Sequence, residues 1–162
     1  MVGIHLDANY IFCKLMKNRT ENKMIKAYEH MVWRMKNLGL ELKKHPLDNK
    51  CLAKFKMCIK NAGMTHELVP PDCHCCNIAE RAIQTFKNHF MLILSGVNDR
   101  FPLSLWCHLV HPAELTVNLL RQSNVTPKVS AYAHVHGQHD YMTQPFALLG
   151  CAIMAHVKPK NR

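Results

Sequence analysis

The order of the apolar segments constrains the fold of this chain more than any other feature. Two short runs rich in β-branched and aromatic residues, "VGIHL" and "YIFCKLM", are joined at "DAN", which predicts a tight hairpin. One long amphipathic helical pattern follows, and extended segments then alternate with further helical patterns. Such an order predicts an α/β fold with a mixed sheet, antiparallel on one side and parallel on the other.

Two helical segments define the expected core. In the first helix, Met24, Tyr28, Met31 and Met35 recur at helical spacing and predict one buried stripe, with Thr20 as the N-cap. The predicted stripe of a later helix, which follows a double proline, consists of Ala79, Ile83, Phe86 and Phe90. Helices that each bury one apolar stripe are typical of helices that flank a sheet.

The C-terminal part differs in composition from the rest. The segment "FPLSLWCHLVHPAELTVNLLRQS" is expected to be helical, with an interruption or a kink at Pro112, and after it the residues Pro, Gly and His become frequent. We therefore expect a domain over residues 1–122 and an irregular basic tail over residues 123–162. One late strand is expected in "ALLGCAIMAHV", and the tail histidines, among them His134, His136 and His139, are expected at the surface.

The charge balance favours a polyanionic partner. Lys and Arg total 21 against 11 Asp and Glu, which gives a formal net charge of +10. Nucleic acid is the first expectation for such a chain, and an acidic membrane surface the second. "MVGIHLDANYIF" resembles neither a signal peptide nor an anchor, and no apolar stretch is long enough to span a bilayer. We expect an intracellular chain whose eight cysteines are reduced.

Two acids lie where a catalytic site is expected. Asp48 follows an extended segment, and Glu80 lies in the first turn of the helix after the next strand. Strand ends and helix starts converge at one edge of a parallel sheet, and two carboxylates there suit a hard divalent ion. Two such ions activate a water or hydroxyl for attack on a phosphodiester. Alternatively, Asp48 is a turn residue and Glu80 only favours the helix N-terminus.

Further polar residues accompany Glu80. Gln84 and Lys87 follow it at i+4 and i+7, so the three share one helix face that suits a phosphate backbone or, alternatively, only solvent. Cys73 and Cys76 have the spacing of a zinc half-site, but no second pair matches it.

Several of these motifs occur together in one known family. "HPLDNK" and "LVPPDCHCCNIAERAIQTFKNHF" resemble the second and third acidic motifs of retrotransposon integrases of the retroviral-integrase, RNase H-like type. "NLLRQSNVTPKVSAYAHVHG" and "PFALLGCAIMAHVKP" are similar to the region after the core in copia-like elements. The resemblance covers essentially the whole chain.

This resemblance implies DNA integration by metal-dependent phosphoryl transfer, with Mg²⁺ or Mn²⁺ held by three acids. Asp48 and Glu80 correspond to the second and third acids, Asn77 and Arg81 flank the third acid, and Lys87 lies at a helix position that often contacts DNA in the family. Together with Gln84 of the same helix face, Asn77, Arg81 and Lys87 are the expected nucleic-acid contacts. The implied partner is DNA in the nucleus. A homo-oligomer is compatible with it, whereas a membrane and a small-molecule cofactor are not implied.

The first acid is where the sequence departs from the family. Family members carry it on a central strand upstream of the hairpin, whereas Asp7 lies in the hairpin turn and is retained only as an alternative third ligand. Cys75 and Cys76 also stand where the family usually has basic residues. We therefore expect a partial RNase H-like core that lacks its first strand and is inactive.

Two alternatives stay open beside this interpretation. The chain is either a non-catalytic basic module that binds nucleic acid, or a fragment without a stable fold. The lysines expected to bind in the first alternative are Lys54, Lys56, Lys87, Lys158 and Lys160.

Overall fold

The computed structural model of the chain describes residues 1–47, 53–68 and 78–147. Its elements, in chain order, are β1 (Val2–His5), β2 (Tyr10–Cys13), α1 (Glu21–Asn37), β3 (Lys44–Leu47), α2 (Ala53–Asn61), β4 (Thr65–Leu68), α3 (Ile78–Ser95), a 3₁₀ segment (Leu103–Leu109), α4 (Val110–Leu120) and α5 (Ala131–His136).

The strands form two pairs. β1 and β2 make an antiparallel hairpin in which Val2 lies opposite Cys13, and β3 and β4 pair in parallel with Lys44 opposite Thr65. Both expected pairing directions are therefore present. Within the described residues, however, they belong to two separate two-stranded sheets rather than to one mixed sheet.

Helices cover both faces of the hairpin. Phe12 packs with Met31 and Met35 of α1, whereas the adjacent Ile11 packs on the other side with Ala82 of α3 and with α4. Because successive strand residues point to opposite faces, all four residues of β2 are buried. The hairpin is therefore the middle layer of this part of the molecule.

A second cluster joins α1 to the parallel strand pair. Tyr28 and Val32 of α1 pack with Phe55 and Ile59 of α2 and with Met64, which immediately precedes β4. The expected stripe on α1 is thus largely buried, and α1 contributes to the core beneath both strand pairs.

The buried face of α3 differs from the expectation. Ala82 is the buried residue, whereas Ile83 is 47% exposed and Phe86 and Phe90 pack at the margin of the cluster. Of the predicted stripe, Phe86 and Phe90 therefore do pack against the core, whereas Ile83 does not, and Ala82, which the prediction did not include, is the residue buried against the hairpin.

Two helix details also differ from the expectations. Thr20 occupies the N-cap position of α1, but its hydroxyl donates to Asn18 Oδ1 and makes no cap hydrogen bond. The helical region changes from a 3₁₀ segment to α4 at Val110, two residues before the interruption or kink expected at Pro112, and Pro112 itself falls in the first turn of α4. Proline is tolerated there because the first amides of a helix have no intrahelical acceptor.

The region expected to be irregular contains α5. Ser130 caps this helix by accepting a hydrogen bond from the Ala133 amide, and Ala131 is fully buried against the hairpin core. His139, expected at the surface, is buried between the rings of Tyr132 and Phe146. The division of the chain after residue 122 stays a prediction.

Candidate functional site

The first half of α3 carries the predicted site residues that the structure describes. Glu80 lies in the first turn, and Glu80, Arg81, Gln84 and Lys87 are all exposed, since Ala82 turns the opposite side of the helix toward the hairpin. The Gln84 side-chain amide donates to Asn88 Oδ1 at 2.8 Å. An acid at the helix N-terminus is favoured by the helix dipole, and the following face presents two cations and an amide to solvent.

The other predicted acid lies next to β3 in the sequence. β3 ends at Leu47, and Asp48 is the first residue beyond it, outside the described residues. Asn77, Cys73 and Cys76 also lie outside them. The pairing of Asp48 with Glu80, the contact of Asn77 with DNA and the zinc half-site therefore stay predictions.

Asp7 occupies the hairpin turn. Its backbone carbonyl accepts hydrogen bonds from the amides of Asn124 and Val125, at 3.1 and 3.2 Å, which tie the turn to the chain beyond α4. Across the described ranges, no three His, Cys, Asp or Glu side chains lie close enough together to hold a metal ion. A role for Asp7 as a third ligand stays a prediction.

Arg121 connects the hairpin turn to the charge on α3. Its Nε donates to the Asn9 carbonyl at 3.0 Å, and its guanidinium also donates to Asn9 Oδ1. Asn9 has a positive φ of 54°, a left-handed conformation that asparagine tolerates better than most residues. Burial, and then the charge of Arg81, lower the pKa of Arg121. The positive charge of Arg81 on α3 therefore acts on Arg121 beside the turn.

A buried ionic group, not anticipated from the sequence, positions α4. Glu114 is only 2% exposed, and its Oε1 lies 2.6 Å from Arg34 of α1. Its Oε2 accepts from the Cys13 amide at 2.8 Å. Burial alone would lower the pKa of Arg34, but the hydrogen bond and charge of Glu114 raise it overall. The guanidinium of Arg34 therefore stays protonated, and its ion pair with Glu114 joins α1, β2 and α4.

Asn118, one helical turn after Glu114, completes this arrangement. Its Oδ1 accepts from the Ile11 amide and its Nδ2 donates to the Ile11 carbonyl, both at 2.8 Å. Glu114 and Asn118 thus provide the outer edge of β2 with the partners that another strand would otherwise supply. The signal in the sequence was an acid and an amide at i and i+4 within the apolar run "LVHPAELTVNLL".

Comparisons with known proteins add one result. No family model and no curated protein matches the sequence. Among solved structures, the chain matches a chain in the cryoEM structure of the simian T-cell lymphotropic virus intasome in complex with PP2A regulatory subunit B56 gamma, with a TM-score of 0.63. The fold is integrase-like.

The match covers 97% of this chain and 53% of that chain, so the chain spans about half of its length. At 15% sequence identity, the similarity concerns the fold alone. A separate finding is that no helix in the described part of the chain is both long and apolar enough to cross a membrane.

Proposed function

We propose that the chain is an integrase-derived, RNase H-like domain of copia-like retroelement origin that binds DNA. The observation that carries the proposal is the shared fold with the intasome chain over 97% of the present chain. The element order agrees with the order of the acidic motifs. Glu80 lies in the first turn of α3 and Asp48 follows β3 in the sequence, so each predicted acid is near an element end where ligands of α/β proteins bind.

The exposed face of α3 is the proposed DNA contact. Arg81, Gln84 and Lys87 are exposed on this helix, and the chain carries a formal net charge of +10. Phosphate contacts by such side chains supply most of the affinity of non-specific DNA binding. In this proposal Arg81 and Lys87 contact phosphates, while Asn77 and Gln84 position the backbone.

We propose that residues 1–162 by themselves do not catalyse integration. Asp48 and Glu80 would bind Mg²⁺ or Mn²⁺, and carboxylate oxygens are suitable donors for either ion. A bound ion of this kind would polarise a phosphodiester and activate its nucleophile. The proposal of inactivity rests on Asp7, the candidate third acid, which lies in the hairpin turn between β1 and β2 rather than on a central strand.

DNA binding is the first test. Fluorescence anisotropy with a short labelled duplex is expected to show binding that weakens steeply with salt. Lys87→Glu is expected to weaken binding about tenfold and to reduce the salt slope by about one. Lys23→Glu is the matched control, since Lys23 is equally exposed but lies on α1, across the hairpin from α3.

The outcomes separate the proposal from its alternatives. Absence of binding at low salt contradicts a DNA-binding function. Equal losses in the Lys87 and Lys23 variants would indicate attraction by net charge alone, without a site on α3.

Catalysis and metal binding require a second assay. With Mn²⁺ present, strand transfer is expected to remain at background, and Asp48→Asn and Glu80→Gln are expected to abolish any effect of Mn²⁺ on DNA affinity. Binding that ignores Mn²⁺ and both substitutions would favour the non-catalytic basic module. Strand transfer that Asp7→Asn abolishes would show that Asp7 is the third acid and that the inactive assignment is wrong.

A further inference from the structure

A buried histidine lies in the segment that follows α5. His139 is 6% exposed, and within the described residues neither of its ring nitrogens has a hydrogen-bond partner. Buried polar atoms are nearly always paired, so an imidazole with two unpaired nitrogens calls for a physical explanation. DNA binding through α3 makes no use of this residue.

Three aromatic rings enclose His139. The Phe146 ring is stacked on the imidazole, with 5.3 Å between the centroids and 9° between the planes. Tyr141 lies against it at a centroid distance of 4.7 Å, and Tyr132 of α5 meets it edge-on at 5.4 Å. The neutral imidazole therefore acts as a flat aromatic ring in this position. These four side chains form what we call the tail cluster.

The tail cluster attaches residues 138–147 to α5, because the hydrogen bonds of this segment are local. The Asp140 carboxylate accepts from the amides of Met142 and Thr143, at 2.9 and 3.3 Å, and the Asp140 carbonyl accepts from the Gln144 amide at 3.0 Å. Within the described part of the chain, no hydrogen bond is found that joins residues 138–147 to another element. Ring contacts therefore hold the segment in place.

Protonation changes the balance at His139. An imidazolium carries a full charge and two N–H donors, and no acceptor lies within hydrogen-bond distance among the described residues. Burial of an unpaired charge costs far more than burial of a neutral ring, and cation–π attraction to the surrounding rings offsets only part of that cost. Protonation therefore favours a conformation in which the ring reaches water.

The titratable groups beside His139 belong to α5 and to the segment itself. They are Tyr132, His136 on the other side of the Tyr132 ring, Asp140 and Tyr141. Hydrogen bonds from Met142 and Thr143 lower the pKa of Asp140, so this carboxylate stays charged at mildly acidic pH. It attracts an imidazolium, but it is exposed and water screens the attraction. Burial, and then the charge of Arg34, lower the pKa of His136.

We propose that the tail cluster is a pH-sensitive latch, in which the neutral His139 ring holds residues 138–147 on α5 and protonation of the ring releases them. The released state then binds one proton more than the latched state. The latch is therefore fully stable above the range in which an exposed histidine titrates, near about pH 6.5, and weakens as the pH falls through that range. For one proton, the opening equilibrium rises by up to about tenfold per pH unit. This inference does not depend on DNA binding or integrase ancestry.

NMR of the chain of residues 1–162, titrated from about pH 8 to about pH 5, tests the latch. The ring nitrogen shifts of the histidines report protonation, and nuclear Overhauser effects from the His139 ring to Phe146 and Tyr132 report docking. These effects are expected to weaken as the His139 ring gains its second proton, so that the protonated ring is observed only in the released segment.

Two variants identify the group that titrates. His139→Phe keeps a flat ring and removes the site of protonation, so docking is expected to persist at about pH 5, with an opening equilibrium at least about tenfold lower than in the unchanged chain. His111→Phe is the matched control, since His111 is an exposed histidine of α4 and lies outside the tail cluster. It removes the same titratable group and should retain the full pH response.

Three results overturn the proposal. The first is a protonated His139 ring that keeps its contacts with Phe146 and Tyr132, which would show that the cluster accommodates the charge. The second is a ring that stays neutral and docked throughout the titration. The third is release of the segment in the His139→Phe variant at the same pH as in the unchanged chain, which would assign the titration to another group, with His136 as the first candidate.

Discussion

The two edges of the hairpin differ in whether their outward backbone groups have hydrogen-bond partners. On the β2 edge, the outward amides of Ile11 and Cys13 donate to side chains of α4, and the whole strand is buried. On the β1 edge, directly opposite, the corresponding groups of Val2 and Ile4 face a cavity between the two strand pairs. The comparison teaches that helix side chains can close one edge of a small sheet while the other edge keeps the capacity to pair.

Loss of the buried Glu114 carboxylate is expected to have the largest effect on the free energy of unfolding. Glu114→Ala leaves the half-buried guanidinium of Arg34 without its partner and the Cys13 amide without its acceptor. The free energy of unfolding should fall by about 3 kcal/mol, as measured by urea denaturation. Glu41→Ala is the matched control, since both members of the Glu41–Lys43 pair are largely exposed and its loss should change stability little. Similar losses in both variants would contradict a special role for the β2 edge.

Proline substitution compares the two edges at one register position. Cys13 lies opposite Val2, and both amides point away from the hairpin, one to Glu114 and one to the cavity. Cys13→Pro should lower the free energy of unfolding by about 2 kcal/mol more than Cys13→Ala. Val2→Pro should differ from Val2→Ala by less than about 1 kcal/mol. Equal costs at the two positions, measured by the same denaturation, would remove the distinction between the edges.

The pH dependence of stability gives a smaller effect at the β2 edge. Burial, and then the negative charge of Glu114, raise the pKa of the Cys13 thiol. In the unfolded chain a thiol loses its proton near pH 8.5, while Cys13 keeps its proton in the folded state. Stability is therefore complete below that pH and falls as the pH rises, by at most about 1.4 kcal/mol per unit for one thiol.

Cys13→Ala should reduce the slope of unfolding free energy against pH between about pH 8.5 and 10. The pKa of the Cys58 thiol is raised as well, chiefly by burial, so part of the slope should remain. An unchanged slope in the variant would show that Cys13 is not protected from ionisation.

Local patterns in the sequence predicted much of the fold. The hairpin, α1, α2 and the start of α3 follow from apolar periodicity and turn residues, and these depend on near neighbours in the chain. Glu80 was located for the same reason, because a helix start leaves a local signal. The parallel pairing of β3 with β4 agrees with the expected strand–helix alternation.

The features that the sequence did not predict depend on contacts between segments that are distant in the chain. Glu114 pairs with Arg34 across 80 residues, and Asn118 completes the β2 edge across 107 residues. The i, i+4 spacing of the acid and the amide therefore marks the two residues but does not identify their partners. The burial of Ala82 rather than Ile83 on α3 likewise depends on a distant contact, since Ala82 packs with Ile11 and Cys13 of β2. The burial of His139 depends on rings from α5 and from Phe146.

The central claim is that side chains of α4 complete the β2 edge of the hairpin, whereas the β1 edge is left open within the described residues. Amide hydrogen exchange at Ile4 and Ile11 tests this claim most directly. These residues lie opposite each other, so the solvent conditions and the global stability are shared. In the chain alone, the Ile11 amide, bonded to Asn118, should exchange slower than the Ile4 amide by about tenfold or more. Equal protection of the two amides would contradict the account.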